Sequence, residues 1–171
     1  MSYGILLLRL VVGVAFVGHG TQKLFGWFGG YGPQGTGGFF ASKGYRAPVL
    51  MAVAAGLAEA GGGTLLALGF VTPLAAALLA AVMINAIAAV TFKKAFMLGS
   101  ELELIYLTIA VSLAATGPGR FSIDRAIGWD DDISGVWWGV AALGVALVAS
   151  FLSLTLGRTR PAEVQEPAAQ T

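Results

Sequence analysis

The sequence contains no cysteine, one histidine and few charged residues, and each shortage excludes a class of protein. Without cysteine there is no disulfide framework, no CxxC redox pair, no thiolate nucleophile and no sulfur-ligated metal or iron–sulfur site. A single histidine leaves little for other metal sites, so we predict no metal. Charged residues make up 11% of the chain, against about 25% in soluble globular domains. The composition therefore indicates a protein that resides in lipid.

The charge balance indicates no polyanionic partner. The 171 residues carry a formal net charge of +1, and no basic stripe alternates with aromatic residues, so we expect no nucleic-acid partner. The length suits one compact bundle rather than several domains. The apolar stretch Ile5–Val17 has no basic region before it, contains Arg9 and is followed by no small-residue cleavage site. We predict a retained first helix rather than a signal peptide.

Long uncharged stretches predict the membrane helices. No charged residue occurs from Ala60 to Phe92 or from Ile133 to Gly157. A membrane-crossing helix needs about 20 apolar residues, so the first stretch is long enough for two, divided at Thr72-Pro73, because proline begins helices well and continues them badly. Backbone that faces lipid must be helical. We predict five membrane helices, near residues 3–25, 47–68, 73–92, 100–117 and 134–156.

Lysines and arginines are unequally distributed between the two ends of this arrangement. Seven are expected at one end and three at or toward the other, namely Lys23, Lys43, Arg46, Lys93, Lys94, Arg158 and Arg160 against Arg9, Arg120 and Arg125. Positive residues favour the cytoplasmic side, which predicts an outside N-terminus and a cytoplasmic C-terminus. Residues 158–171 are polar and contain two prolines, and they are predicted to be disordered.

Two glycine-rich features predict local structure. Gly26–Gly44 alternates aromatic residues with glycines, and two interpretations stay open: an interfacial loop with aromatic anchors, or a re-entrant lid over a site between helices. No strand precedes it and no GK[ST] follows, which argues against a phosphate-binding loop. Gly56 and Gly63 lie seven residues apart, and such small residues let membrane helices approach closely.

Polar side chains inside the predicted helices are the candidate site. An ionisable group at the bilayer centre costs at least about 2.5–3.5 kcal/mol and is a functional candidate by default. The candidates for ligand or quinone binding are Arg9, His19, Lys23, Glu59, Asn85 and Glu101. Helical spacing places Arg9, Phe16, His19 and Lys23 within an arc of roughly 80°, expected to face inward. Glu101 and Glu103 lie about 200° apart, so only one can join a cavity formed with His19, Lys23, Glu59 and Asn85.

Structural explanations for the same residues stay open. Glu59 could form an ion pair with Arg9 or Lys23 that fixes helix register, and His19 and Asn85 could simply hydrogen-bond between helices. Glu101 could interact with the positive end of a helix dipole. Arg120 and Asp124, four residues apart, are predicted to form a helical ion pair in a solvated loop. No catalytic residue can be assigned from the sequence.

The order of several short motifs resembles the DoxX family over roughly residues 4–125. The matching segments are His19-Gly20-Thr21-Gln22-Lys23-Leu24-Phe25-Gly26-Trp27, Gly56-Leu57-Ala58-Glu59, the turn Gly69 to Pro73, and Glu101 followed by Gly117-Pro118-Gly119-Arg120-Phe121-Ser122-Ile123-Asp124. The resemblance implies a bacterial inner-membrane protein with a four-helix core. We therefore expect an all-α polytopic membrane bundle: a core over residues 1–125, a linker and fifth transmembrane helix over 126–157, and a tail over 158–171.

The family resemblance also suggests a function. DoxX-like proteins are similar to the membrane subunit of thiosulfate:quinone oxidoreductases, although the family assigns no catalytic role to these residues. Imidazole, ammonium and carboxylate groups beside an apolar cavity could hydrogen-bond quinone carbonyls and transfer protons. The leading hypothesis is a quinone-interacting subunit whose redox partner protein supplies the substrate-binding half. The alternatives are a binding or transport protein for a small amphiphile, lipid or ion, and a scaffold without chemistry; a homo-oligomer is compatible with each.

Overall fold

The computed structural model describes residues 2–91 and 99–159, and these ranges are predominantly helical with no β-strand. The α-helices are α1 Ser2–Phe25, α2 Gly32–Ser42, α3 Pro48–Leu68, α4 Thr72–Ala86, α5 Glu101–Thr116, α6 Ile123–Ala126 and α7 Val136–Leu156. A 3-10 helix, Trp27–Gly29, precedes α2, and a π-helical segment, Ile87–Thr91, extends α4. The prediction of an all-α polytopic membrane protein is confirmed.

Four helices within the described ranges are long and apolar enough to cross a bilayer: Tyr3–Phe25, Pro48–Leu68, Thr72–Ala89 and Val136–Leu156. The remaining long helix, α5, has 16 residues, or about 24 Å at 1.5 Å per residue. That length falls short of a hydrocarbon core of about 30 Å. It nevertheless packs against both α4 and α7 within the bundle.

Prolines and glycines set the helix boundaries as the sequence pattern predicts. Proline occupies the first turn of α2, α3 and α4, where its missing N–H costs nothing. The α3 helix ends at Gly69, whose φ of 63° lies in the left-handed region that favours glycine. The predicted break between α3 and α4 is confirmed, but the turn consists of Gly69, Phe70 and Val71, and Thr72-Pro73 begins α4.

The closest helix contact joins α1 to α3 through two pairs of glycines. A Cβ atom on Gly13 would lie 2.6 Å from the carbonyl oxygen of Gly63, and one on Gly20 would lie 2.6 Å from that of Gly56. Side chains therefore cannot be accommodated at these crossings without displacement of the backbone. The predicted close approach at Gly56 and Gly63 is confirmed, and Gly13 and Gly20 form the complementary half of it.

The core combines a few large side chains with a face of small ones. Phe16, Leu66, Leu79 and Leu113 are fully buried between α1, α3, α4 and α5. On α7 the buried residues are all small, namely Gly139, Ala142, Ala146 and Ser150, and this face packs against α4 and α5. Large hydrophobic residues elsewhere on α1 and α7 are exposed, as expected for surfaces that contact lipid.

The described basic residues are segregated between the two ends of the bundle. Contacts place Lys23, Lys43, Arg46 and Arg158 at one end, which we call the lysine end. Arg9 lies at the other end, beside the loop that contains Arg120. Lys93, Lys94 and Arg160, which also entered the topology prediction, lie outside the described residues. So does all of the predicted disordered tail except Arg158 and Thr159, which pair with the loop before α3.

We expect the α1–α3 crossing to be intolerant of a single methyl group. Gly20→Ala should lower the free energy of unfolding by about 1–3 kcal/mol, because it overpacks a close contact. Gly18→Ala is the matched control on the same helix, since a Cβ there meets nothing within 4 Å. Thermal or denaturant unfolding in detergent micelles measures both variants. Equal midpoints for the two would contradict the proposed importance of the crossing.

Candidate functional site

An ion pair between α1 and α3 lies at the centre of the candidate site. The Nζ atom of Lys23 is 2.5 Å from Oε2 of Glu59, and the Glu59 side chain is only 4% exposed. Gly56 lies one turn before Glu59, and a Cβ there would come within 3.2 Å of the Cβ of Lys23. Lys23 can therefore lie against α3 and reach the carboxylate. Of the two partners predicted for Glu59, the structure shows Lys23.

A cavity of about 430 Å³ opens beside this ion pair. Its size lies within the range of small-molecule sites, roughly 300–1,000 Å³. Most of the wall is alanine, leucine, valine, methionine and phenylalanine. The polar and charged residues that line it are Lys23, Lys43, Tyr45, Glu59, Asn85 and Ser153. Three of the six predicted candidates, Lys23, Glu59 and Asn85, are thus brought together.

Asn85 connects the cavity to α7 through a short chain of hydrogen bonds. Its Nδ2 donates to the hydroxyl of Ser150 at 2.9 Å and to the carbonyl of Ala81 at 3.0 Å. Ser150 in turn donates to the same carbonyl at 3.0 Å. Asn85 therefore bridges helices, as its structural explanation proposed, and also lines the cavity, as its functional explanation required.

Tyr45 is a cavity residue that sequence reasoning missed. It lies in the loop between α2 and α3, it is 8% exposed, and its hydroxyl donates to Oδ1 of Asn85 at a long 3.4 Å. Burial raises the pKa of Tyr45 above its ordinary value of 10.0, while the charge of Arg158 and a hydrogen bond with Ser153 act in the opposite direction. The hydroxyl is therefore neutral at neutral pH and available as a donor.

The aromatic–glycine segment contributes to the cavity and to the surface. Phe39 and Phe40, at the end of α2, line the cavity, and the ring of Phe40 stacks on Tyr45 with centroids 5.2 Å apart. Trp27 and Tyr31, in contrast, are exposed. Phe39 and Phe40 are compatible with the lid interpretation and Trp27 and Tyr31 with the anchor interpretation, and both stay predictions.

His19 lies outside the cavity, so the prediction that it belongs to an inward-facing stripe is wrong. The side chain is exposed, and its Nδ1 lies 3.1 Å from Oε1 of Gln22. At about 100° per residue, His19 is the outermost member of the predicted arc. Arg9, Phe16 and Lys23 fall closer together and do face neighbouring helices. Helical spacing shows which residues of α1 share a face, but it does not show how much of that face α3 covers.

Glu101 lies in a different place from the Lys23–Glu59 pair. It borders a separate groove of about 340 Å³ on α5, together with Leu104, Ile105, Thr108 and Ile109. Glu101 and Thr108 share this face of α5. However, no glutamate from α5 lines the cavity beside Glu59. Glu101 therefore does not join Lys23, Glu59 and Asn85 as predicted.

Arg9 is bound by backbone carbonyls at the opposite end of the bundle. Its guanidinium is 1% exposed and donates to the carbonyls of Leu66 at 3.1 Å, Ala67 at 3.1 Å and Phe121 at 2.7 Å, and to that of Pro118. Leu66 and Ala67 belong to the last turn of α3, where carbonyls lack helical partners. Arg9 therefore has a structural role there, far from the cavity.

Asp124 completes this second network by capping α4. Its carboxylate accepts hydrogen bonds from the backbone N–H groups of Val71 at 2.7 Å and Thr72 at 3.1 Å, and from the Thr72 hydroxyl at 2.8 Å. The side chain is fully buried. The predicted solvated ion pair between Arg120 and Asp124 is therefore wrong, because a free helix N-terminus attracts the carboxylate more effectively than an exposed arginine.

Comparison with known proteins assigns the family. The sequence model described as DoxX matches residues 4–92. A Bacillus subtilis (strain 168) protein named "Putative oxidoreductase CatD" is 35% identical over 121 residues, which cover 71% of this chain and 84% of the relative. No solved structure matches the chain significantly. The matched range 4–92 contains Lys23, Tyr45, Glu59 and Asn85, whereas α5, α6 and α7 follow it.

We expect Arg9→Lys to destabilise the protein without altering the cavity. Lysine lacks the planar five-donor fork and would leave buried carbonyls unpaired, at a cost of about 1–3 kcal/mol. Arg120→Lys is the control, because Arg120 is exposed. The measurement is the unfolding midpoint in detergent. A midpoint equal to that of the control would show that the four carbonyls do not depend on Arg9.

Proposed function

This chain belongs to the DoxX family, and from that starting point we propose that its cavity binds the head group of a quinone as part of a membrane redox complex. The observation that carries the proposal is the cavity itself. It is largely apolar, and its polar groups include the Lys23–Glu59 pair, Tyr45 and Asn85. The name of the B. subtilis relative, "Putative oxidoreductase CatD", supports redox function at a coarser level.

The donor set suits a quinone ring. A quinone presents two carbonyl oxygens on opposite sides of an apolar ring, and it therefore requires hydrogen-bond donors within apolar walls. The Lys23 ammonium and the neutral Tyr45 hydroxyl are such donors, and the Asn85 amide is held close by. The long contact between Tyr45 and Asn85, 3.4 Å, leaves the tyrosine proton free to turn toward a ligand.

Glu59 and Lys23 could also hold and release the protons that quinone reduction takes up. When bound, a quinone supplies the electron-accepting chemistry, since its reduction takes up two electrons and two protons. Glu59 can hold a proton at its carboxyl oxygen, and Lys23 compensates the charge when that proton leaves. Electrons must come from a partner protein, because the chain has no cysteine and no recognisable cofactor-binding domain. We thus propose a quinone-binding subunit, with the substrate-binding half supplied by the partner.

The same proposal includes an orientation in the bacterial inner membrane. Basic residues favour the cytoplasmic side, so the lysine end, which carries Lys23, Lys43, Arg46 and Arg158, is assigned to the cytoplasm. The cavity lies at this end. A redox partner would then meet the protein from the cytoplasmic side, within a subunit assembly that can also include a second copy of this chain.

A second candidate is a carrier or binding protein for an anionic amphiphile. Two lysines, Lys23 and Lys43, line the cavity against one carboxylate, Glu59. Such an excess of positive charge favours a negatively charged head group over a neutral ring. The two candidates differ in what copurifies: an isoprenoid quinone in the first case, and an acidic lipid or a small organic anion in the second.

We expect the purified protein in lipid nanodiscs to bind a short-chain ubiquinone or menaquinone analogue. Tyr45→Phe should weaken binding about fivefold to tenfold because it removes a hydrogen-bond donor, and Glu59→Gln by a similar factor because it removes the charge that holds the Lys23 ammonium in place. Glu101→Gln is the matched control, since Glu101 lies outside the cavity. Titration by quenching of intrinsic tryptophan fluorescence, with solvent extraction of the native protein, provides the measurement. Absence of both extracted and added quinone from the wild type would overturn the proposal.

We further expect an apolar replacement of the ion pair to separate function from assembly. Replacing a buried ion pair by apolar residues of similar volume is often neutral for stability or stabilising. Lys23→Met combined with Glu59→Met should therefore retain the unfolding midpoint but lose quinone binding. Glu59→Gln alone, in contrast, leaves Lys23 without its partner. If the double variant binds quinone as the wild type does, the pair is only a structural contact.

A further inference from the structure

The residues that follow α7 return to the loop that carries Tyr45. The N–H of Arg46 donates to the carbonyl of Gly157 at 2.9 Å, and the N–H of Thr159 donates to that of Gly44 at 2.8 Å. These bonds form an antiparallel bridge between Tyr45 and Arg158. We call Gly157–Thr159 the C-terminal strap and Lys43–Arg46 the Tyr45 loop.

The Arg158 side chain adds two further contacts to the Tyr45 loop. Its Nε donates to the carbonyl of Lys43 at 2.9 Å, and its guanidinium lies 5.6 Å from the centre of the Tyr45 ring. An arginine at this distance from an aromatic ring makes a favourable cation–π contact. Arg158 therefore binds both the backbone and the aromatic side chain of the loop.

Gly44 permits the strap to approach. Its φ is +84°, a conformation that favours glycine, and a Cβ there would lie 3.3 Å from the carbonyl oxygen of Thr159. The loop is also attached to the end of α2, where the N–H groups of Lys43 and Gly44 donate to the carbonyls of Phe40 at 3.0 Å and Ala41 at 2.9 Å. The N–H of Tyr45 donates to the carbonyl of Phe40 at 3.2 Å, and the Tyr45 hydroxyl makes the long contact to Asn85. The strap is thus a major attachment of the loop.

Residues of α7 line the cavity and the strap contacts its wall at Tyr45, although both follow the matched range 4–92. Ala149 and Ser153 of α7 line the cavity, and Ser150 binds Asn85. We propose that Arg158 and the strap position Tyr45 as a wall of the cavity and thereby control access from the lysine end. The identity of the ligand rests on the function proposed above, whereas the closure of the wall does not.

The absence of native cysteine allows a direct test of closure. Ala58 lines the cavity, so Ala58→Cys introduces a unique thiol there, and its rate of reaction with a water-soluble maleimide reports access. Adding Arg158→Ala should raise this rate about fivefold or more, because local opening becomes more frequent. Arg158→Lys, which keeps the charge and loses the guanidinium geometry, should give an intermediate rate.

Two truncations supply matched controls for the strap. A chain that ends after Thr159 retains the strap and should react as the full chain does, whereas one that ends after Gly157 lacks Arg158 and Thr159 and should react faster. Thr159→Pro is a milder variant that removes both donors of Thr159 to the carbonyl of Gly44, the N–H and the hydroxyl. Unfolding midpoints measured in parallel separate local opening from loss of the fold. Unchanged labelling in Arg158→Ala and Thr159→Pro, with the fold intact, would overturn the proposal.

Tyr45→Phe distinguishes positioning from ligand binding. It keeps the ring that contacts Arg158 and Phe40, so the maleimide rate of the thiol introduced by Ala58→Cys should stay unchanged while quinone affinity falls. Arg158→Ala should change both readouts. If the wild type binds no quinone but labelling still responds to Arg158→Ala, the strap proposal stands and the quinone proposal fails. Fast labelling in Tyr45→Phe would show that the hydroxyl, rather than the strap, closes the wall.

Discussion

The close crossing of α1 and α3 is the contact on which the rest of the structure depends. Lipid tails are as apolar as leucine, so burial of hydrophobic surface does not drive helices together inside a bilayer, and close packing must do so. Gly13 and Gly20 meet Gly63 and Gly56 with no space for a Cβ atom. This short distance lets Lys23 reach Glu59, and so determines where the polar wall of the cavity lies.

Much of the architecture could be predicted from local sequence, because the bilayer restricts the choices so strongly. The uncharged stretches, the turn at Thr72-Pro73 and the glycine spacing on α3 each have one physical interpretation in lipid. The site was predicted less completely. The cavity brings together Lys23, Glu59 and Asn85 as expected. His19, however, lies at the edge of its arc. A difference of about 40–80° around the helix axis decides whether a side chain faces a cavity or the outer surface.

The errors for Arg9 and Asp124 share one cause: partners that are distant in sequence. Arg9 binds carbonyls 57 to 112 residues away, and Asp124 caps a helix that begins 52 residues earlier. Backbone carbonyls and N–H groups occur at every residue, so no pattern of side chains identifies the ones that an ionisable group will find. Tyr45 was missed for a related reason, because its burial depends on α7 and on Arg158, which come much later in the chain.

The Arg9 network has a consequence for the order in which the chain enters the membrane. The carbonyls of Leu66 and Ala67 are available as soon as α3 has formed, but those of Pro118 and Phe121 are synthesised only after α5. Chains are made from the N-terminus. When only α1 to α3 have been inserted, the Arg9 guanidinium therefore has two of its four carbonyl acceptors. Water or lipid head groups at that membrane surface must solvate the rest of the guanidinium until the carbonyls of Pro118 and Phe121 displace them.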